Sequence, residues 1–135
     1  MDRCWEAVAE FHRAFGSPRE DAPHLLTPER VAERAGWLRE EVAELEEAGT
    51  VEEQADAMID LMYFALGTMV EMGVRPARLF EIVHEANMRK RWPDGTVHTR
   101  AEDGKVVKPP GWKDPGPMIE AEIHRQRTEQ GQKRE

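Results

Sequence analysis

The chain has 135 residues, 39% of them apolar, with one cysteine and a formal net charge of −8. That length suits one globular domain with a real core, and the acidic balance argues against a partner made of nucleic acid polymer, which calls for a basic footprint. Cys4 standing alone excludes an internal disulfide framework and fits a reducing cytoplasm.

Residues 2–15 read as a first helix, with Trp5, Val8, Ala9, Phe11 and Phe15 at helical spacing and Gly16 placed to end it. A loop with Pro18 and Pro23 follows. Thr27 and Pro28 make an N-cap and first-turn pair, and Val31, Leu38, Val42 and Leu45 mark the expected buried stripe of a second helix that stops at Gly49. Thr50 with Glu53 forms a capping box that opens a third helix running to about Met72, before Gly73. So short a connection makes the second and third helices antiparallel neighbours. Pro76 opens a fourth helix to about residue 91, with Leu79, Phe80, Val83 and Met88 expected inside. Residues 93–116 are rich in Gly and Pro and lack helical periodicity, and a loop of that length in a compact domain is usually functional or disordered. A short amphipathic helix is expected from Pro117 to about Arg127, using Met118, Ile119 and Ile123. The expected architecture is all-α: a four-helix antiparallel core, a long C-terminal loop and a short extra helix. It forms a single domain over residues 1–127, with 128–135 a solvated tail.

The apolar run near residues 57–70 contains Asp60 and is shorter than the roughly 20 residues a membrane span needs. Residues 1–20 carry Asp2, Glu6 and Glu10 where a signal peptide would be basic and then apolar. The expectation is therefore a soluble, untargeted protein with no membrane partner.

Glu40, Glu41 and Glu44 lie within one arc of the second helix at about 100° per residue. The positions three and four residues away hold Gly36, Trp37, Leu38, Ala43, Leu45, Glu47 and Ala48, so no local Lys or Arg offsets them. By the same angular count the arc points away from the apolar stripe, beside the core contact. Asp56 and Asp60 form a second acidic pair on the third helix, and Asp60 sits in a stretch apolar enough around its circumference to be buried. An unpartnered buried carboxylate is costly. A divalent cation would supply the missing charge, and hard carboxylate oxygens suit Mg²⁺ or Mn²⁺. Asp56 is also welcome near a helix start for the dipole alone.

Charge is distributed unevenly. Residues 1–86 hold 8 basic and 19 acidic side chains, residues 87–113 hold 7 and 3, and no lysine precedes Lys90. An acidic helical body followed by a basic loop suits a site that holds metal ions and grips a polyanion, although the loop could equally dock on the body. Asn87, Lys90, Lys105 and Lys108 are candidate phosphate donors, and the Asp103-Gly104-Lys105 turn could aim backbone amides at one phosphate. Trp112 is expected to pin the loop. Phe11, His12 and Phe15 could line a base pocket, with core packing the commoner job for the two phenylalanines. The zinc-protease pattern starting at His84-Glu85 fails at Met88. The di-iron pattern Glu81-x-x-His84 occurs once where two copies are needed, and Cys4 has no base near it in sequence.

Glu40-Glu41-x-x-Glu44, then Asp60, then Asn87, resembles the all-α nucleoside triphosphate pyrophosphohydrolases, the MazG-like superfamily that includes dimeric dUTPases. The likeness runs from Glu10-Phe11-His12-Arg13 through His84-Glu85-Ala86-Asn87 to Lys108-Pro109-Pro110-Gly111-Trp112. It is closest to a subgroup labelled Cof-like phosphohydrolases, although the Asp-x-Asp motif that label implies is missing. The second acidic motif of the superfamily is Glu-x-x-Asp. Its Asp falls on Asp60 and its Glu on Ala57, with Asp56 one residue earlier.

The resemblance implies hydrolysis of a nucleoside triphosphate, dUTP-type substrates included, between the α and β phosphates, in a house-cleaning or nucleotide-pool role. It further implies Mg²⁺ or Mn²⁺ on Glu40, Glu41, Glu44 and Asp60, with Glu41 orienting or deprotonating the attacking water, and a homodimer or dimer of dimers. The alternative is a non-catalytic helical nucleotide-binding or assembly module, for which Ala57 is the best sign.

Overall fold

The computed structural model describes residues 1–132. It is all-α, as expected, with five helices: α1 Asp2–Ala14, α2 Pro28–Glu47, α3 Val51–Met72, α4 Ala77–Met88 and α5 Gly116–Gln132. Among the described residues no strand forms, and the only β pairing is an isolated bridge between Thr99 and Val106. No single helix among them is long and apolar enough to cross a membrane. The chain divides into two compact units, Met1–Pro76 with the chain from Gln126 onward, and Ala77–Arg125.

In the first unit the helix boundaries follow local rules. The Thr27 hydroxyl accepts from the Arg30 amide at 3.2 Å, with Pro28 in the first turn of α2. The Thr50 and Glu53 side chains cap each other's backbone at the start of α3, and Glu53 also accepts from the Gly49 amide at 2.7 Å. Gly73 ends α3 at φ +66°, where a Cβ would also collide with the Ala22 backbone, so only glycine fits.

The tight connection folds α2 back on α3, and each step of about one turn along α2 is matched by a step of about one turn back along α3. Arg30 meets Glu71, Arg34 meets Thr68, and Trp37 meets Phe64. The contact is polar at its centre. Arg30 grips Glu71 with two bonds, Nε to Oε2 at 2.9 Å and Nη2 to Oε1 at 2.6 Å, while Arg34 donates to Glu71, the Thr68 hydroxyl and the Phe64 carbonyl. The side chains of Glu71 and Arg34 are only 1% and 6% exposed. Gly67 makes room for this, because a Cβ there would collide with Arg34 Nη2 and stand 3.0 Å from His12 Nε2.

This corrects the expected face of α2. Val31 and Val42 are 49% and 44% exposed, and the buried residues of the helix are Arg34 and Glu41. Leu38 and Leu45 are half-buried. A bidentate ion pair, once dry, fixes the helix rotation more strongly than two valines can.

On its other side α3 receives α1, whose Trp5, Val8 and Ala9 form a core with Leu66 and Val70. Phe11 and Phe15, expected inside, are exposed, and His12 is buried in their place. α1 has 13 residues against 22 in α3, so the apolar stripe of α3 continues uncovered through Met58, Ile59 and Met62. From Gln126 onward α5 belongs to this unit. The Gln126 side chain is buried and both accepts from the Arg75 amide and donates to the Arg75 carbonyl.

In the second unit Ile82 and Ala86 are the buried residues of α4, whereas Phe80, Val83 and Met88, expected inside, are exposed. Trp112 Nε1 donates to the Ala86 carbonyl at 2.8 Å, and Trp92 Nε1 donates to the Val107 carbonyl at 3.3 Å, which ties the loop to itself and to α4. α5 runs to Gln132, five residues beyond the expected end; the remainder of the expected tail lies outside the described residues.

Glu71→Ala takes the only carboxylate partner from buried Arg34 and the bidentate partner from Arg30, which keeps Glu33. It is expected to destabilise the protein by about 3–5 kcal/mol in urea unfolding, while Val31→Ala and Val42→Ala each cost under about 0.5 kcal/mol.

Candidate active site

The rotation that buries Arg34 also turns Glu41 toward α3, two helical turns further along. Glu41 is 8% exposed, and its Oε2 is buried with no hydrogen-bond partner. Its carboxyl is held above the usual carboxylate range, first by burial, then by the charges of Glu44 and Asp60, with Glu44 near enough to share a hydrogen bond and Glu40 adding to the effect. Glu40 and Glu44 are exposed, Asp60 is half-buried and Asp56 is exposed.

The structure therefore brings four of the five acids into one electrostatic cluster, with Asp56 not among the groups that act on Glu41. Two expectations need correction. Glu41 lies within the helix contact, not beside it. And the carboxylates do not converge into a formed cage: among the described residues no three His, Cys, Asp or Glu side chains stand in metal-holding geometry, as mutual repulsion would dictate. Asp60 is also less buried than expected: it is half-buried, as is Leu61 beside it, while Ile59 on its other flank is exposed. At the Ala57 position the side chain is 2% exposed and fills helix contact where an acid would otherwise stand.

A cleft of about 400 Å³ opens beside the cluster. Phe11 and His12 of α1, Ser17 of the following loop, and Tyr63 and Phe64 of α3 line one part, and Arg30, Arg34, Trp37 and Glu40 of α2 line the other. Glu40 thus belongs to both cleft and cluster. The guanidinium carbons of Arg30 and Arg34 lie 5.1 and 5.0 Å from the Trp37 ring centre. His12 Nδ1 is 2.7 Å from the Pro18 carbonyl. A carbonyl only accepts, so Nδ1 carries a proton, and Nε2 lies in the notch over Gly67. Of the residues expected in a base pocket, Phe11 and His12 line the cleft and Phe15 stacks on Phe11 with ring centres 4.5 Å apart.

Sequence reading missed Arg30, Arg34, Trp37, Tyr63 and Phe64. One signal was available: Arg30, Arg34, Trp37 and Glu41 recur at steps of four, three and four, the spacing of a single helix face.

The other expected phosphate donors lie in the second unit. Asn87 is exposed at the end of α4. The Lys108 and Lys90 ammonium groups stand 4.4 and 5.8 Å from the Trp112 ring centre. The amides of the Asp103-Gly104-Lys105 turn are not available to a phosphate, since Gly104 N donates to the Arg100 carbonyl at 2.8 Å and Lys105 N to Asp103 Oδ1 at 3.0 Å. With Arg100 also paired to Asp103, this is a self-satisfied surface turn that leaves only the exposed Lys105 side chain.

These features define an all-α protein with carboxylates on two antiparallel helices beside an aromatic cleft. Residues 8–87 match the phosphoribosyl-ATP pyrophosphohydrolase family, and the chain belongs to that family. The crystal structure of a "putative NTP pyrophosphohydrolase" from Exiguobacterium sp. 255-15 is similar to this chain at 32% identity and a TM-score of 0.53, covering 93% of this chain and 96% of that one. No curated protein matches the chain. The family match spans α1 to α4, including both acidic sets and the cleft, and stops before the basic loop. Family and structural relative together support a hydrolase acting on pyrophosphate bonds.

Because the raised carboxyl binds its proton more tightly in the folded chain than in the unfolded one, Glu41 destabilises the fold as pH rises from the ordinary glutamate range through the raised value. In chelator, Glu41→Gln is expected to melt above the wild type at neutral pH, with the gap closing in acid. Added Mg²⁺ should raise the melting temperature of the wild type and leave the variant unmoved.

Proposed function

We propose that the protein is a metal-dependent nucleoside triphosphate pyrophosphohydrolase that cleaves between the α and β phosphates to give a nucleoside monophosphate and pyrophosphate. The observation that carries this reading is the orphaned, buried Glu41 oxygen inside a cluster with Glu40, Glu44 and Asp60. An all-oxygen donor set of this kind fits Mg²⁺ or Mn²⁺, with Glu40, Glu41, Glu44 and Asp60 to hold it and Asp56 in reserve one turn away. Bound there, the metal would neutralise the triphosphate and acidify water.

The chain's own residues supply the rest. Glu41, held rigidly in the helix contact and raised in pKa, is placed to orient the attacking water and take its proton as the water oxygen bonds to the α phosphorus and the α–β bridging oxygen leaves with pyrophosphate. The cleft, joined to the cluster through Glu40, holds the nucleoside part and fixes the α phosphorus relative to Glu41. Phosphoribosyl-ATP is itself a substituted nucleoside triphosphate, so the family name and the name of the structural relative meet on one bond type. A house-cleaning or nucleotide-pool role in the cytoplasm follows from this reading.

Self-association belongs to the same proposal. The uncovered stripe of Met58, Ile59 and Met62 on α3 is apolar and uncharged, which suits a twofold contact with a second copy. Ile59→Glu is expected to convert a dimer, or dimer of dimers, to monomer in light scattering.

One observation favours the non-catalytic reading: buried Ala57 removes an acid from the second motif. Pyrophosphate release from a nucleotide panel with Mg²⁺ or Mn²⁺ separates the two. Glu41→Gln should lower kcat by about 10²–10⁴, and Asp60→Asn by at least about tenfold. Nucleotide binding without turnover in the wild type would establish the binding module instead.

A further inference from the structure

We propose that the cleft between α1, α2 and α3 is the subsite for the base, and that Arg30, positioned by Glu71, makes it prefer bases with a carbonyl edge, of guanine, hypoxanthine or uracil type. The proposal rests on the nucleotide reading above and adds the class of base to it.

Charge decides which end of the substrate the cleft takes. Glu71 spends both oxygens on the two guanidiniums, and Glu40 stands at the opening. No surplus positive charge remains for a triphosphate. Aromatic surface remains instead: Phe11, Trp37, Tyr63 and Phe64 line the cleft, and its volume of about 400 Å³ accommodates a nucleoside.

Hydrogen-bond polarity decides which base. A guanidinium has five N–H donors and no acceptor. Arg30 commits three, two to Glu71 and one to Glu33, and Arg34 commits three, to Glu71, Thr68 and the Phe64 carbonyl. Each therefore keeps two donors. The acceptors nearest them are taken, because both Glu71 oxygens are bonded and the Phe64 carbonyl receives both Arg34 and the Thr68 hydroxyl. A carbonyl edge satisfies the spare donors, as guanine does for arginine elsewhere. At the same ring position the exocyclic amino group of adenine or cytosine would set donor against donor. Glu71 touches no substrate in this scheme. It holds the Arg30 fork bidentately, and stacking on Trp37 fixes the guanidinium against the ring.

Calorimetric binding of GMP, IMP, UMP, AMP and CMP to the full chain reads the preference without catalysis. GMP, IMP and UMP should bind roughly 10–100-fold more tightly than AMP and CMP. Arg30→Met should bring the ratio near one, and Arg30→Lys, which keeps the charge and a Glu71 partner but lacks the fork, should lose most of it. Glu71→Gln should narrow the ratio more than it weakens overall binding. A merely structural role for these residues would weaken all five nucleotides alike, with the ratio kept. Equal affinities in the wild type, a preference for AMP and CMP, or an unchanged ratio in Arg30→Lys would overturn the proposal. Binding with the stated preference but no pyrophosphate release would sink the hydrolase reading and leave this one standing; release from all bases with equal affinities would do the reverse.

Discussion

The bidentate pair between Arg30 and Glu71, extended by Arg34, decides which side of α2 faces α3. Glu71 is almost wholly buried, and an ion pair in such a place tolerates little displacement, because losing the arginines would leave a dry carboxylate. With Arg30 fixed near one end of the helix pair and the short Ala48–Thr50 connection fixing the other, the rotation of α2 is set along its length. Glu41 is carried inward as a result, and Arg34 and Trp37 come to form the cleft. One constraint thus produces both parts of the site.

The acidic cluster is the counterpart of that pair. In one, two cations surround a carboxylate and every strong group finds a partner. In the other, carboxylates from both helices face each other and one oxygen finds none. Folding energy alone does not favour such an arrangement. The proposed cation from outside the chain would favour it, and the buried, unpartnered oxygen distinguishes the cluster from an ordinary solvated acidic face.

Much of the fold was legible because it rests on local chemistry. Thr27-Pro28, the Thr50–Glu53 box and Gly73 mark helix ends through contacts within a few residues, and the structure places α2 and α3 between them. The rotation of α2 was not legible. Counting apolar side chains selects Val31 and Val42, whereas the deciding contact joins two arginines of α2 to a glutamate of α3, far apart in sequence. α3 misled for a related reason: apolar around its circumference, it seemed destined for full burial, yet α1 is too short to cover it and Met58, Ile59 and Met62 stay exposed. The acidic set could be read from charge without local compensation, and the cleft could not, apart from Phe11 and His12, because its walls come from three helices. The Asp103–Lys105 turn shows the opposite error, since its amides are consumed by its own carboxylate and carbonyl groups.

The central claim is that the orphaned Glu41 carboxylate is a cation ligand shared with its acidic neighbours. Anomalous diffraction from crystals grown with Mn²⁺ tests it most directly. The account predicts a manganese peak about 2.0–2.2 Å from a Glu41 oxygen, the range for hard octahedral cations on carboxylates, with at least one of Glu40, Glu44 and Asp60 also bound. A fully ordered Glu41 with no peak beside it, or manganese held only by acids elsewhere on the chain, would contradict it.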